Sequence, residues 1–297
     1  MNTRVALRYV GLAAILLYCL TPFYWMLASA FRRPSDQFSL SPFPAPISVT
    51  NFAAVFGVDV GFGRALLNSV VVAGIATVLT LLIGLSAAYA LARLRFRFKN
   101  AVAAMIIATS MFPGISLVVP LLKLFTDINW INTYQAMIVP SMSFALPLAV
   151  WNLNAFFRQM PGELEEAAMI DGCTRLQAFR KIILPLAAPG VFTTAIITFI
   201  TAWNEFIIAL SMVNDKNMQT ATVAISRFTG AYAFDQPFGT QMAAGVVVTV
   251  PLVILVLVFQ RRIIAGLTAE VSSENLGSNG FGGCPVTRVD RVGHCFG

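Results

Sequence analysis

Few residues of this chain could carry out chemistry, and the patterns of common catalytic sites are missing from its sequence. The 297 residues contain no Gly-Lys pair, so there is no phosphate-binding loop of the GxxxxGK[ST] type. The only histidine, His294, excludes an HExxH zinc site, and Cys284 and Cys295 are too few and too far apart to bind zinc. We therefore expect no catalytic residue, no metal site and no ATP hydrolysis in this chain.

One short cluster could instead bind a ligand. Trp203, Asn204 and Glu205 place an indole ring beside an amide and a carboxylate, a combination that suits hydroxyl-rich ligands. The alternative is that these residues mark the outer end of a membrane span, where tryptophan and acidic residues are common. The sequence leaves both interpretations open.

The composition indicates that lipid forms part of the solvent of this protein. Hydrophobic residues make up 58% of the chain, charged residues make up 11%, and the mean hydropathy is +0.78. Soluble domains carry about 25% charged residues. Because a water-soluble surface needs more polar atoms than this chain can supply, the elements that carry the candidate residues must lie in a membrane.

Long intervals without charge predict where the chain crosses the membrane. A crossing helix needs about 20 apolar residues. The interval from Gln37 to Val58 contains Pro42, Pro44 and Pro46, so we interpret it as an aqueous loop. The sequence predicts an all-α integral membrane protein with six transmembrane helices, at about residues 9–31, 65–92, 100–122, 135–157, 186–209 and 238–260.

The distribution of basic residues predicts the orientation. With both termini in the cytoplasm, 14 of the 20 lysine and arginine residues lie on the cytoplasmic side. We therefore expect a multi-pass cell-membrane protein with a cytoplasmic amino terminus at residues 1–8, a transmembrane domain at 9–268 and a disordered cytoplasmic tail at 269–297. Since topology accounts for the net charge of +7, we expect lipid and not nucleic acid as its partner.

The longest cytoplasmic connection, residues 158–185 between spans four and five, has the sequence pattern of two short helices. Acidic residues after Pro161 favour the amino-terminal end of a helix, and Gly172 is placed to end it. Thr174 and Gln177 form a capping box for a second helix, which must end before Pro185. The sequence predicts a helix–turn–helix, which we call the coupling loop.

Each predicted helix of the coupling loop has an apolar stripe. The first stripe contains Leu164, Ala167 and Ala168, and the second contains Leu176, Phe179 and Ile183. Such helices could lie on lipid headgroups. The acidic residues beside the first stripe would repel an anionic leaflet, which favours a docking element for a cytoplasmic protein.

At these residues the sequence resembles the EAA loop of the permeases of binding-protein-dependent ABC importers. Glu166-Ala167-Ala168, Asp171-Gly172, Phe179, Ile182 and Leu184-Pro185 stand in the order of that motif. The similarity extends over roughly residues 10–268 and is strongest to the maltose-permease-like sugar branch. Met111-Phe112-Pro113 and Phe228-Thr229-Gly230 look most like the trehalose-importer permeases of actinobacteria.

The resemblance implies an import complex in which this chain is a permease subunit and not an enzyme. Its partners would be a second homologous permease, two cytoplasmic ABC ATPases and an extracytoplasmic sugar-binding lipoprotein. ATP and Mg²⁺ would bind to the ATPases, so the chain itself would need no cofactor. Its cargo would be a sugar, such as the disaccharide trehalose, moved by alternating access. The residues expected to couple to the ATPase are Glu166, Ala167, Ala168, Asp171, Gly172, Phe179 and Pro185.

Two alternatives from other classes need different residues. An ion-coupled secondary carrier should have paired charges within its spans, yet only Glu205 lies at such a depth. An intramembrane enzyme would need a base or a metal ligand there, and Glu205 stands alone. Both alternatives are less well supported than the importer.

Overall fold

The computed structural model describes residues 3–57, 61–228 and 237–278. Within these ranges all regular structure is helical, as the sequence predicts. A π-helix, Phe179–Ile183, joins two of the shorter helices. The α-helices are α1 (Thr3–Ala30), α2 (Thr50–Val55), α3 (Phe62–Arg93), α4 (Lys99–Ser110), α5 (Val118–Asp127), α6 (Tyr134–Gln159), α7 (Glu163–Ile170), α8 (Arg175–Ala178), α9 (Leu184–Leu186), α10 (Ala188–Trp203), α11 (Ile207–Met212), α12 (Ala221–Ser226) and α13 (Phe238–Ser278).

Four described helices are long and apolar enough to cross a membrane unaided, namely Leu7–Ala30, Phe62–Arg93, Tyr134–Gln159 and Phe238–Phe259. Two further candidates are bent. Lys99–Ser110 and Gly114–Asp127 meet at 88°, after Pro113, and Arg175–Leu186 meets Ala188–Trp203 at 75°, between Pro185 and Pro189. Counting each bent pair as one span gives six, which is compatible with the predicted number.

Buried clusters at the two ends of the bundle give the direction of each helix. Ala30 at the end of α1 packs with Phe62 at the start of α3 and Ala244 near the start of α13. At the opposite end, the Arg93 guanidinium at the end of α3 donates a hydrogen bond to the carbonyl of Met160, which follows α6. We call this second end the α7 side, because α7 follows directly.

The bent segments also pass from one end of the bundle to the other. Lys99, at the start of α4, lies with Arg93 on the α7 side, whereas Phe125 of α5 packs with Ala136 at the opposite end. The segment from Ile183 through α10 likewise begins on the α7 side and ends at Trp203, which packs with Met137 near the start of α6. The chain therefore alternates between the two ends, as a multi-pass topology requires.

Small residues allow the central helices to approach closely. α3 and α6 run parallel and make the most extensive helix contact, with Gly84 of α3 packed against Ala149 and Leu153 of α6. α10 crosses α6 at Gly190, where an added Cβ would lie 2.4 Å from Cγ of Phe156. Without a hydrophobic driving force between helices in lipid, such close packing is a main source of association.

Two helices leave most of their apolar surface uncovered. Residues 7–24 of α1 are all exposed, and α4 has no buried residue along its whole length. Surfaces of this kind need lipid or another chain against them. α13 continues as a helix to Ser278, past residue 268, where the predicted tail begins. The rest of that tail, with His294, Cys284 and Cys295, lies outside the described residues.

Candidate functional site

The coupling loop has the predicted helix–turn–helix form. α7 ends at Ile170, and Gly172 follows it with a positive φ of 87°, the left-handed conformation that glycine adopts without steric cost. α8 begins with a complete capping box: the Thr174 N–H donates to Gln177 Oε1 (2.8 Å) and the Gln177 N–H donates to Thr174 Oγ1 (3.3 Å). The π-helix and α9 then lead into α10. The local sequence therefore specifies this turn.

The two faces of α7 differ in exposure. Its outer face consists of residues spaced i, i+3, i+4 and i+7, all exposed to solvent: Glu163, Glu166, Ala167 and Ile170. Ile170 is 86% exposed, and Leu176 of α8 beside the turn is 65% exposed. Large apolar side chains at the tip of an otherwise charged loop indicate a surface that binds another protein.

The two predicted apolar stripes each contain buried and exposed residues. Ala168 and Ile183 are buried, and Phe179 is half-buried with its ring 4.5 Å from that of Tyr89. Leu164, Ala167 and Leu176 instead face outward, since the bundle is present on one side of the loop only. Among the remaining predicted coupling residues, Asp171 lies exposed at the end of α7 and Pro185 lies exposed in α9.

Three residues hold α7 to the bundle through contacts that the sequence did not predict. Tyr89 Oη donates a hydrogen bond to Glu165 Oε1 (2.5 Å), and Arg93 Nε lies 3.8 Å from Glu165 Oε2. Glu165 is only 7% exposed, whereas the neighbouring Glu166 of the EAA motif is exposed. A usable signal existed, because Tyr89 and Arg93 are spaced i, i+4 at the end of a span and therefore share a helix face.

An open groove of about 810 Å³ lies between α7 and the connection from α3 to α4. Four basic and two acidic residues line it, and Glu165, one of the acidic residues, is already paired with Arg93. The groove therefore offers net positive charge beside the outer face of α7. Its charged lining consists of Arg93, Arg95, Lys99, Arg175, Glu165 and Glu166.

The three residues of the Trp203-Asn204-Glu205 triplet lie in three different environments. Trp203 is 2% exposed and its ring stacks on Phe199 at 5.6 Å, inside the chain. Glu205 accepts hydrogen bonds from the N–H groups of Ile208 (2.7 Å) and Ala209 (3.0 Å), so its carboxylate caps α11. Only Asn204 is exposed, and its side chain donates to the Ile200 carbonyl (2.9 Å). The three side chains do not form one ligand platform.

No group of three or more histidine, cysteine, aspartate or glutamate residues could hold a metal ion in the part of the chain that the structure describes. The polar features of those residues include the exposed outer face of α7, the basic groove and the capped helix ends. Such features can bind a partner and transmit movement.

Comparison with known proteins identifies what kind of protein has this arrangement. A sequence profile described as "Binding-protein-dependent transport system inner membrane component" matches residues 80–268, which include the coupling loop. The trehalose transport system permease protein SugB of Mycobacterium tuberculosis is 43% identical over 252 residues, 85% of this chain and 92% of that protein. The trehalose/maltose transport system permease protein MalG of Thermococcus litoralis is 39% identical over 264 residues, 89% of this chain and 95% of that protein.

Solved structures agree at the level of the fold. A bacterial ABC transporter involved in the import of the acidic polysaccharide alginate aligns with a TM-score of 0.74 at 19% identity, covering 86% of this chain and 95% of that one. A MetNI methionine ABC transporter aligns with a TM-score of 0.55 at 21% identity over 72% of this chain and 98% of that one. The chain belongs to the family of inner-membrane components of binding-protein-dependent transport systems and is a non-catalytic, membrane-spanning permease.

Proposed function

We propose that this chain is one of two homologous permease subunits of an ATP-driven sugar importer. The cargo is a disaccharide such as trehalose, delivered by an extracytoplasmic binding lipoprotein and released into the cytoplasm by alternating access. Two relatives that align over most of this chain are named for trehalose or for trehalose and maltose, which supports this cargo. The observation that carries the proposal is the outer face of α7, an exposed docking surface on a helix anchored to the bundle.

The α7 side is the cytoplasmic side, so both termini are cytoplasmic. The basic residues at the end of α3 and in the connection that follows support this orientation, because short basic loops stay in the cytoplasm. Two cytoplasmic ATPase subunits hold ATP and Mg²⁺. Each of them binds the coupling loop of one permease. In this chain Glu166, Ala167, Asp171 and Ile170 touch the ATPase directly, while Ala168, Gly172, Phe179 and Pro185 shape the loop.

Sugar translocation follows from two global states that ATP and the loaded binding protein stabilise differently. Closure of the ATPase dimer moves the two coupling loops toward each other and rocks the helices attached to them. Within the predicted substrate triplet, exposed Asn204 is the residue that we assign to the sugar pathway. Trp203 and Glu205 support it by fixing the end of α10 and the start of α11.

The proposal is tested with Glu166→Lys in the assembled importer. A lysine on the outer face of α7 reverses a charge in the docking surface, and we expect the ATPase to dissociate and trehalose uptake to stop while the chain still inserts. Gly172→Pro should act similarly, because proline cannot adopt the positive φ of this turn. Glu163→Lys, one turn away at the edge of the same face, serves as the matched control and should have a smaller effect.

Uptake into vesicles separates the importer from the ion-coupled alternative. Depletion of ATP should stop trehalose uptake, and a protonophore should not. Normal ATPase co-purification and normal uptake in both Glu166→Lys and Gly172→Pro would refute the assignment of the coupling loop.

A further inference from the structure

We propose that Tyr89, Arg93 and Glu165 form a clamp that joins the coupling helix α7 to α3, so that both helices move as one body during transport. This inference rests on the proposed function. It assigns to Glu165 a role distinct from that of its neighbour Glu166. Glu166 meets the ATPase, and Glu165 transmits the movement of α7 into the membrane.

Few contacts can transmit a force from α7. Of its eight residues only Glu165 and Ala168 are buried. Ala168 offers a single methyl group, which can slide over its neighbours without breaking a directional contact. Glu165, in contrast, holds two residues of α3 at once, through the 2.5 Å hydrogen bond from Tyr89 and the 3.8 Å ion pair with Arg93. Apart from the covalent backbone connections at its two ends, the clamp is therefore the main directional link between α7 and the membrane spans.

Arg93 extends the clamp to a third helix. Its Nη2 donates a hydrogen bond to the carbonyl of Met160, 2.8 Å away and directly after the end of α6. A Cβ on Gly162, which precedes α7, would lie 3.7 Å from Arg93 Nη1. One guanidinium thus fixes the ends of α3 and α6 relative to the start of α7. Since α3 and α6 pack extensively on each other, a displacement of α7 is delivered to the centre of the bundle.

The surroundings of the clamp strengthen it. The Tyr89 ring lies 4.5 Å from the ring of Phe179 and 6.2 Å from that of Phe157, which fixes the position of the ring. The side chains of Arg93 and Glu165 are 15% and 9% exposed. In such low-dielectric surroundings charged hydrogen bonds are stronger, and leaving one partner unpaired is costly. The clamp therefore favours one geometry over a sliding contact.

The test uses the complete importer with its ATPases and binding protein in proteoliposomes. Three single variants are compared: Glu165→Gln and Tyr89→Phe in the clamp, and Glu166→Gln as the matched control on the outer face of α7. Two quantities are measured, namely the ATPase retained when the permease is captured and the radiolabelled trehalose imported per ATP hydrolysed. Tyr89→Phe removes a single hydroxyl group and preserves the ring packing, so it separates the hydrogen bond from the fold of the loop.

We expect both clamp variants to retain the ATPase and to import about tenfold less trehalose per ATP, the factor expected when a hydrogen bond to a charged group is lost. Glu166→Gln should instead reduce the amount of ATPase retained. The trehalose imported per ATP hydrolysed by the retained ATPase should stay unchanged. Glu165→Gln removes the ion pair with Arg93 but keeps a side-chain oxygen that can accept from Tyr89, so adding Tyr89→Phe should lower the trehalose imported per ATP further.

Normal trehalose import per ATP in Glu165→Gln and Tyr89→Phe would overturn the clamp, and so would loss of the ATPase from these variants. A wild-type assembly that retains no ATPase, or imports trehalose without it, would refute the proposed function itself. The two failures are thus distinguishable in one set of measurements.

Discussion

Gly190 offers the sharpest test of how the helices pack. It lies in the first turn of α10, where that helix crosses α6, and an added Cβ would lie 2.4–2.6 Å from three ring atoms of Phe156. Carbon atoms in contact are normally about 3.5–4.0 Å apart. The Gly190→Ala variant must therefore push α10 and Phe156 apart by about 1 Å. Gly84 is its matched control, because a Cβ there would lie 3.6 Å from Leu153 and 3.7 Å from Ala149, which are ordinary contact distances.

The expected magnitude follows from two terms. Alanine gains up to about 1 kcal/mol of helix propensity over glycine at either position. Overpacking costs about 1–3 kcal/mol, and only Gly190→Ala incurs it. The free energy of unfolding should thus be lower for Gly190→Ala than for Gly84→Ala by about 1–3 kcal/mol or slightly more, since the gain at the first turn of α10 is smaller.

Thermal unfolding of the chain purified in detergent measures this difference. We expect the midpoint of Gly190→Ala to fall by a few degrees and that of Gly84→Ala to stay or rise. Adding Phe156→Leu to Gly190→Ala should recover part of the loss, because the smaller side chain can move away from the new methyl group. Equal midpoints for the two alanine variants would refute the close approach of α10 and α6.

Two further predictions concern the end of the bundle opposite the α7 side. Arg32 is buried, and its guanidinium donates to the carbonyls of Ser39 and Ser41. Arg32→Lys should therefore make residues 37–49 more sensitive to cleavage by chymotrypsin. Arg33→Lys changes an exposed neighbour and should not. Equal cleavage of this segment in the two variants would contradict the role of Arg32. Asn68 Nδ2 donates to the carbonyls of Asn217 and Gln219, both at 2.9 Å. Asn68→Asp removes this donor and should lower the free energy of unfolding by about 1–3 kcal/mol, measured as a lower thermal midpoint. Asn217→Ala keeps the accepting carbonyl and should change the midpoint little. An Asn68→Asp variant with an unchanged midpoint would contradict this account.

Features encoded by neighbouring residues could be predicted from the sequence. The capping box of Thr174 and Gln177 and the turn at Gly172 each need only residues within a few positions, and both have the predicted form. The helical class and the approximate places of the long helices follow from the charge-free intervals. Local chemistry and the thickness of a membrane are sufficient for these features.

Features that depend on distant partners could not be predicted. Glu165 looks like an ordinary acidic residue in a first turn until Tyr89, far away in the chain, approaches it. Trp203 was a candidate ligand residue, yet helices α3 and α6 bury it. Helix periodicity also does not tell which members of a stripe meet the bundle, and the structure buries Ala168 and Ile183 while Leu164 and Leu176 stay exposed.

The uncovered surface of α1 has a consequence for biogenesis. Among residues 7–30 of α1, only the last turn, Ala28–Ala30, is buried, where Ala30 packs with Phe62 of α3 and Ala244 near the start of α13. α13 follows the other described spans in the chain, so the most extensive contact of α1 forms late in synthesis, after the contact between Ala30 and Phe62 of α3. Until then, most of α1 faces lipid or a neighbouring subunit. A chain truncated before residue 238 would therefore keep α1 attached to the bundle only near Ala30.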